Sequence, residues 1–319
     1  MKSILNLTGS RLEVNALFVQ PTRWCGLNCP GCYVKDHEGG EEGFHTDWTE
    51  QLALFDKFYW GVDAWANQIT ISVDNLNTDP LKKYSMYNLI NAILRRRAMD
   101  IRPKEDRPEI HMTFHTVKTL VEYYEQDISE FGLLDMISFS ELSLTSNTID
   151  LIEAFKLNGV FVNYNKLIPQ GITDWDKEAK RLTEISELVD HIYLVIFKSP
   201  MGKERDLVAR VGDRNRMSSD IVYIENILKR VPSSVKRKIT TDGCLRDTLQ
   251  SARTGYGCAS NVSRFQVWPN GTVSGCPYAH RGSGKIGQRA EDIMENIRQA
   301  RTRYDFKEIC HLPKILTSV

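Results

Sequence analysis

Residues 21–35 read PTRWCGLNCPGCYVK, and they place three cysteines, Cys25, Cys29 and Cys32, within eight positions. The run ALFVQ directly before them (residues 16–20) is apolar enough to be a strand, so the cysteines lie in a loop that leaves a strand end. The other four, Cys244, Cys258, Cys276 and Cys310, all fall in the last quarter of the chain. Cysteines bunched in this way point to metal or redox chemistry more than to disulfides. Four thiolates close a cubane iron–sulfur cluster, and three leave one iron open to bind something else. Zinc in the first group needs a fourth ligand, for which His37 or His45 is at hand, and zinc also suits four thiolates in the second group.

Composition bounds the rest. A chain of 319 residues suffices for one large α/β domain and a small appendage. Lys+Arg and Asp+Glu both number 41, which argues against a nonspecific nucleic-acid coat or a basic membrane anchor. No apolar run approaches the roughly 18–20 residues that span a bilayer, and MKSILNLTGSRLEVN lacks the apolar core of a signal peptide. A soluble, cytoplasmic protein with no membrane partner is the expectation. The sequence leaves the oligomeric state open.

Across the first 240 residues, β-branched and apolar runs alternate with helical periodicity. The strands expected are NALFV, QITISV, EIHMTF, DMISFS, GVFVNYNKLI and HIYLVIF. Between them, DWTEQLALFDKFYWG, YSMYNLINAILRRR and KEAKRLTEISELV carry the i, i+3, i+4 spacing of amphipathic helices. Six strands with intervening helices imply a parallel sheet covered by helices.

The spacing C-x3-C-x2-C in CGLNCPGC, after a strand, resembles that of the radical S-adenosylmethionine (radical SAM) enzymes. The resemblance implies an α/β fold with a partial (β/α)6 barrel, and a [4Fe–4S] cluster on Cys25, Cys29 and Cys32. In that family the open iron chelates SAM, and reductive cleavage gives a 5′-deoxyadenosyl radical that abstracts hydrogen from the substrate. The position before the third cysteine is usually aromatic. Here it is Gly31, and Tyr33 is placed to supply the aromatic surface. After the second strand the family has Gly-Gly-Glu-Pro. The best match here is Asn77-Thr78-Asp79-Pro80, with Asp79 in the acidic position, and Asp74 or Asn75 stands close by as an alternative. The same residues also read as a turn with a helix cap. Ser138, Ser140 and Glu141, at the end of the fourth strand, are candidates for SAM's ribose or carboxylate. Asn163 and Asn165 share a face by period two, and buried amides need partners. His111, His115 and Lys198 read more simply as satisfied polar residues than as substrate contacts.

Further along, SRFQVWPNGTVSGCPY signals a β-hairpin, with Asn270-Gly271 in the turn. GKIGQRAEDIMENIRQARTRYDF then reads as a loop and an amphipathic helix before Cys310. This segment resembles the twitch form of the SPASM auxiliary-cluster domain. The resemblance implies a second [4Fe–4S] cluster on Cys244, Cys258, Cys276 and Cys310, and a division into a radical SAM core at 1–238 and a small hairpin-plus-helix domain at 239–319. The cofactors implied are two [4Fe–4S] clusters and SAM, with a reductant such as flavodoxin or ferredoxin as partner. The reaction implied is oxidation, rearrangement or epimerisation of an amino-acid-like carbon, in a peptide or on a nucleic-acid-linked group. With 24 residues before Cys25, a peptide leader would call for a separate recognition protein. Three basic clusters bear on nucleic acid: LRRRAMDIRPKEDR, KERDLVARVGDRNR and LKRVPSSVKRK. They read first as solvated faces offset by nearby acids, with Arg214, Arg216, Lys236 and Arg237 the residues able to track phosphates.

Overall fold

In the computed structural model, alternate residues of the central strands are apolar and buried against helices. The described residues are 12–19, 48–61, 64–73, 80–117, 120, 128–169, 171–195, 214–241, 264–267, 272–274, 284–285, 288–289, 292 and 295–296. The first six strands are β1 (Leu12–Val19), β2 (Ala64–Val73), β3 (Glu109–Thr116), β4 (Met136–Glu141), β5 (Phe161–Leu167) and β6 (His191–Val195). Leu17 and Val19, Ile69 and Ile71, Ile110 and Met112, Ile137 and Phe139, Val162 and Tyr164, and Ile192 and Leu194 form the buried set. Period two puts each pair on a single face of its strand.

Helices cover that face. They are α1 (Trp48–Trp60), α2 (Pro80–Met99), α3 (Ser146–Leu157), α4 (Trp175–Leu188), α5 (Arg214–Arg230) and α6 (Ser233–Lys238). Leu52, Phe55 and Tyr59 of α1 and Met86, Leu89, Ile90 and Ile93 of α2 recur at helical spacing and join the same core. Ile152 and Phe155 of α3, Leu182 and Ile185 of α4, and Tyr223 and Ile227 of α5 do likewise. Thr145 caps α3 by accepting the Thr148 N–H, and Asp174 caps α4 by accepting the Lys177 N–H. At the far end of α3 the chain turns through Gly159, whose φ of 76° suits a residue without a Cβ. The sequence run beginning at Gly159 therefore opens as a helix terminus, and β5 begins at Phe161.

The sheet joins the hairpin to the six core strands read from sequence and adds two short strands. Strands β7 (Ile239–Thr241), β8 (Arg264–Val267), β9 (Thr272–Ser274) and β10 (Gly284–Lys285) complete the order β10-β9-β8-β1-β2-β3-β4-β5-β6-β7. The eight strands from β8 through β7 are parallel, an α/β arrangement of TIM-like or partial-barrel type. The three residues of β7 directly follow the basic tail of α6 and carry too little pattern to stand out. β8 and β9 do form an antiparallel hairpin, with Val267 opposite Val273. The other edge of β8 pairs with β1, aligning Leu17 with Phe265 and Val19 with Val267.

One polar clamp ties the amino ends of β3 and β4 to α2. Arg97, 6% exposed, donates to both carboxylate oxygens of Asp135 at 2.9 and 2.7 Å. The same guanidinium donates to the carbonyls of Leu133 and Pro108, and Asp135 accepts the Ile110 N–H at 2.9 Å. Among the described residues, no helix is long and apolar enough to cross a membrane.

Candidate ligand-binding face

The sheet face turned away from the helices is unusually polar. Register aligns Ser72 with Thr113, Thr113 with Ser138, Ser138 with Asn163 and Asn163 with His191. One level toward the amino ends the row runs Gln266, Phe18, Thr70, His111, Met136, Phe161. One level toward the carboxyl ends, Asn165 aligns with Tyr193 and Tyr193 with Thr240. Ligands of parallel barrels bind at the carboxyl ends of the strands. The Ser72-to-His191 row reaches the carboxyl end only in β2. Ser138 and Asn163 are the third residues of β4 and β5, and His191 is the first of β6. A site is therefore to be sought on this face from that row toward the carboxyl ends.

The row is hydrogen-bonded. Asn163 Nδ2 donates to Ser138 Oγ at 3.1 Å and to Asn165 Oδ1 at 2.7 Å. Asn163 Oδ1 lies 2.7 Å from His191 Nδ1, and His191 Nε2 lies 2.8 Å from Thr240 Oγ1. The His191 ring sits between Phe161 and Tyr193, each with its centroid 6.3 Å away. Burial pulls the His191 pKa below its ordinary value, which favours the neutral ring. His111 is 7% exposed. Its Nε2 lies 3.2 Å from Glu109, while its Nδ1 is buried without a hydrogen-bond partner among the described residues. Burial lowers the His111 pKa and outweighs the opposing pull of the Glu109 and Asp135 carboxylates. Buried polar groups are normally hydrogen-bonded, so this nitrogen is a candidate contact for a ligand atom or a water. His115 Nε2 lies 3.7 Å from Glu141.

Of the residues singled out from sequence, Ser138 and Asn163 meet in this network at 2% and 4% exposure. Ser140, half-buried, follows Ser138 at the two-residue spacing that keeps it on the same face. Tyr33, Asp74, Asn77, Thr78, Asp79, Lys198 and all seven cysteines lie outside the described residues. Among the described residues, no group of three or more His, Cys, Asp or Glu side chains is arranged to hold a metal ion. The sequence reading passed over His191, Thr240 and Gln266. His191 opens the apolar run HIYLVIF, and its alternation against Ile192 and Leu194 was the signal that puts it on the polar face. Part of the first basic cluster is consumed inside the fold: Arg96 pairs with Asp56, Arg97 with Asp135 and Arg102 with Asp100.

No protein family matches the sequence, and no curated protein matches it. Among solved structures the fold is similar to that of Streptococcus suis SuiB, with a TM-score of 0.55 and 14% identity over 94% of this chain and 71% of SuiB. A 3-dehydroquinate dehydratase from Geobacillus kaustophilus aligns over 90% of this chain and 91% of its own, at 9% identity and a TM-score of 0.39. TsrM from Kitasatospora setae, a radical S-adenosylmethionine methyltransferase, aligns over 58% of this chain and 36% of its own, at 12% identity and a TM-score of 0.35. At 14% identity the likeness to SuiB is one of fold alone, and the last two, at TM-scores of 0.39 and 0.35, carry no argument.

Proposed function

We propose that this chain is a radical SAM enzyme that abstracts hydrogen from an amino-acid-like carbon, most simply that of a peptide residue. The observation that carries the reading is CGLNCPGC following the first strand of a parallel, barrel-like sheet. The polar inner face is the surface such a cofactor needs. Ser138 and Asn163 are buried and hydrogen-bonded there, and the His111 Nδ1 is left for an outside partner. In this reading Cys25, Cys29 and Cys32 hold the SAM cluster, and Tyr33, Asp79 or Asp74, Asn77, Thr78, Ser138, Ser140 and Asn163 contact SAM. Cys244, Cys258, Cys276 and Cys310 hold an auxiliary cluster, and a flavodoxin or ferredoxin supplies the electron. When bound, such a cluster and SAM would supply the means of breaking an unactivated C–H bond. The chain's own part is to orient substrate for that step and to keep water out.

The test is anaerobic reconstitution followed by reduction with dithionite. The protein should hold about eight iron and eight sulfide, and should release 5′-deoxyadenosine from SAM. Alanine at Cys25, Cys29 and Cys32 should abolish that release. Intact SAM after prolonged reduction of the iron-loaded protein would sink the reading. Four irons with zinc at the C-terminal cysteines would remove only the auxiliary cluster.

A second reading places the amino-acid-like group on a nucleobase. Exposed Lys236 and Arg237 on α6 favour it, and the use of Arg96, Arg97 and Arg102 inside the fold weighs against it. Reversing the charges of Arg214, Arg216, Lys236 and Arg237 separates the two. A peptide substrate should bind unchanged, whereas nucleic-acid affinity should fall, together with its slope of about one log unit per log salt for each phosphate contact.

A further inference from the structure

Donation along the inner row runs in one direction. Both amide hydrogens of Asn163 are given away, to Ser138 Oγ and to Asn165 Oδ1. The atom facing His191 is therefore the Asn163 carbonyl oxygen, and only a protonated Nδ1 can bond it at 2.7 Å. On a neutral ring Nε2 is then the acceptor, and it takes the Thr240 hydroxyl hydrogen at 2.8 Å. Donation passes from Thr240 on β7 to His191 on β6, to Asn163 on β5 and to Ser138 on β4. Ser138 Oγ already accepts from Asn163, and among the described residues no acceptor takes its own hydrogen, which is left to give outward. Were the Asn163 amide turned over, its oxygen would face Ser138 and draw that hydrogen inward. An Nδ1–H on His191 opposes this, as does the Asn165 Oδ1 that accepts the second amide hydrogen, and the Phe161 and Tyr193 rings flank the imidazole.

We propose that His191 is a positioning residue for cofactor binding. Through Asn163 it sets Ser138 as a hydrogen-bond donor to an acceptor oxygen, ribose or carboxylate, of bound SAM. The inference rests on the cofactor reading above. It adds two residues, His191 and Thr240, that do not themselves touch the ligand.

The experiment measures SAM binding to the anaerobically reconstituted full chain by equilibrium dialysis. Wild type is compared with His191→Leu, His191→Asn, Ser138→Ala and the double variant His191→Leu/Ser138→Ala. His191→Leu should weaken binding roughly three- to tenfold, the equivalent of one hydrogen bond. His191→Asn keeps an N–H near the Nδ1 position and should restore affinity to within about twofold by the same reckoning. In the Ser138→Ala background His191→Leu should cost nothing further, because its effect passes through Ser138. Independently of SAM, two-bond 1H–15N spectra of the wild type should show His191 protonated at Nδ1. Protonation at Nε2 alone, equal binding by His191→Leu, failure of His191→Asn to rescue, or additive losses in the double variant would each overturn the inference. Those results leave the cofactor reading standing. A wild type that binds no SAM would overturn both.

Discussion

Replacing Asp135 with Ala removes the carboxylate that accepts two hydrogen bonds from a guanidinium only 6% exposed. Arg97 keeps its bonds to the Leu133 and Pro108 carbonyls, at 3.3 and 3.2 Å, but its charge loses the one carboxylate bonded to it among the described residues. The Ile110 N–H at the start of β3 loses its acceptor as well. Breaking a buried pair from one side costs about 3–5 kcal/mol, because an uncompensated charge stays inside. An orphaned backbone N–H adds roughly 1–3 kcal/mol when no water reaches it, so the upper end of the first range is the expected loss. Against typical domain stabilities of about 5–15 kcal/mol this is a large fraction. Urea unfolding followed by circular dichroism reads it out. With a slope near 3 kcal/mol per molar, the midpoint should fall by roughly 1–2 M at unchanged slope. Arg97→Met/Asp135→Leu should recover part of the loss, since two apolar side chains leave no buried charge. A loss below about 1 kcal/mol for Asp135→Ala would refute the reasoning, because it would mean that water reaches Arg97 in the folded state.

Two further outcomes are expected. His191 and His111 both have pKa values depressed by burial, so the folded state holds them neutral while the unfolded chain titrates near 6.5. Their contribution is fully present above about pH 6.5 and is lost as pH falls through that value toward the folded ones. Urea midpoints should therefore drop between pH 7.5 and 5.5, and by less in His191→Asn; an equal drop in both proteins would remove His191 from the account. If the proposed cofactor reading holds, Asp79→Ala should weaken SAM binding roughly ten- to a hundredfold, as expected for one charge-assisted hydrogen bond, and more than Asp74→Ala does. The opposite ranking would move the acidic contact to the residue directly after β2.

The alternation of six apolar strands with amphipathic helices was legible along the chain, because both periods are local properties that follow from which face of an element meets the core. So was the cysteine spacing, since three cysteines within eight residues are read without any tertiary contact. Period two also assigned Asn163 and Asn165 to one face, and Ser138 and Ser140 to another strand's matching positions. What it could not supply was the neighbour. That Ser138 meets Asn163, and Asn163 meets His191, depends on the register of β4, β5 and β6, which the turns and helices between them set at a distance. The place of β8 beside β1 is the same kind of fact. RFQV announces a hairpin arm by its own pattern, but its second edge pairs with residues about 250 positions earlier, and no local periodicity records that. Arg97 read as one cation in a basic run, and only the packing of α2 against the amino ends of β3 and β4 turned it into a buried clamp. The sequence by itself determined the faces of the elements, because each is written within a few residues. Strand order, register and the partners of buried polar groups are contacts between distant residues, and the tertiary structure alone decided them.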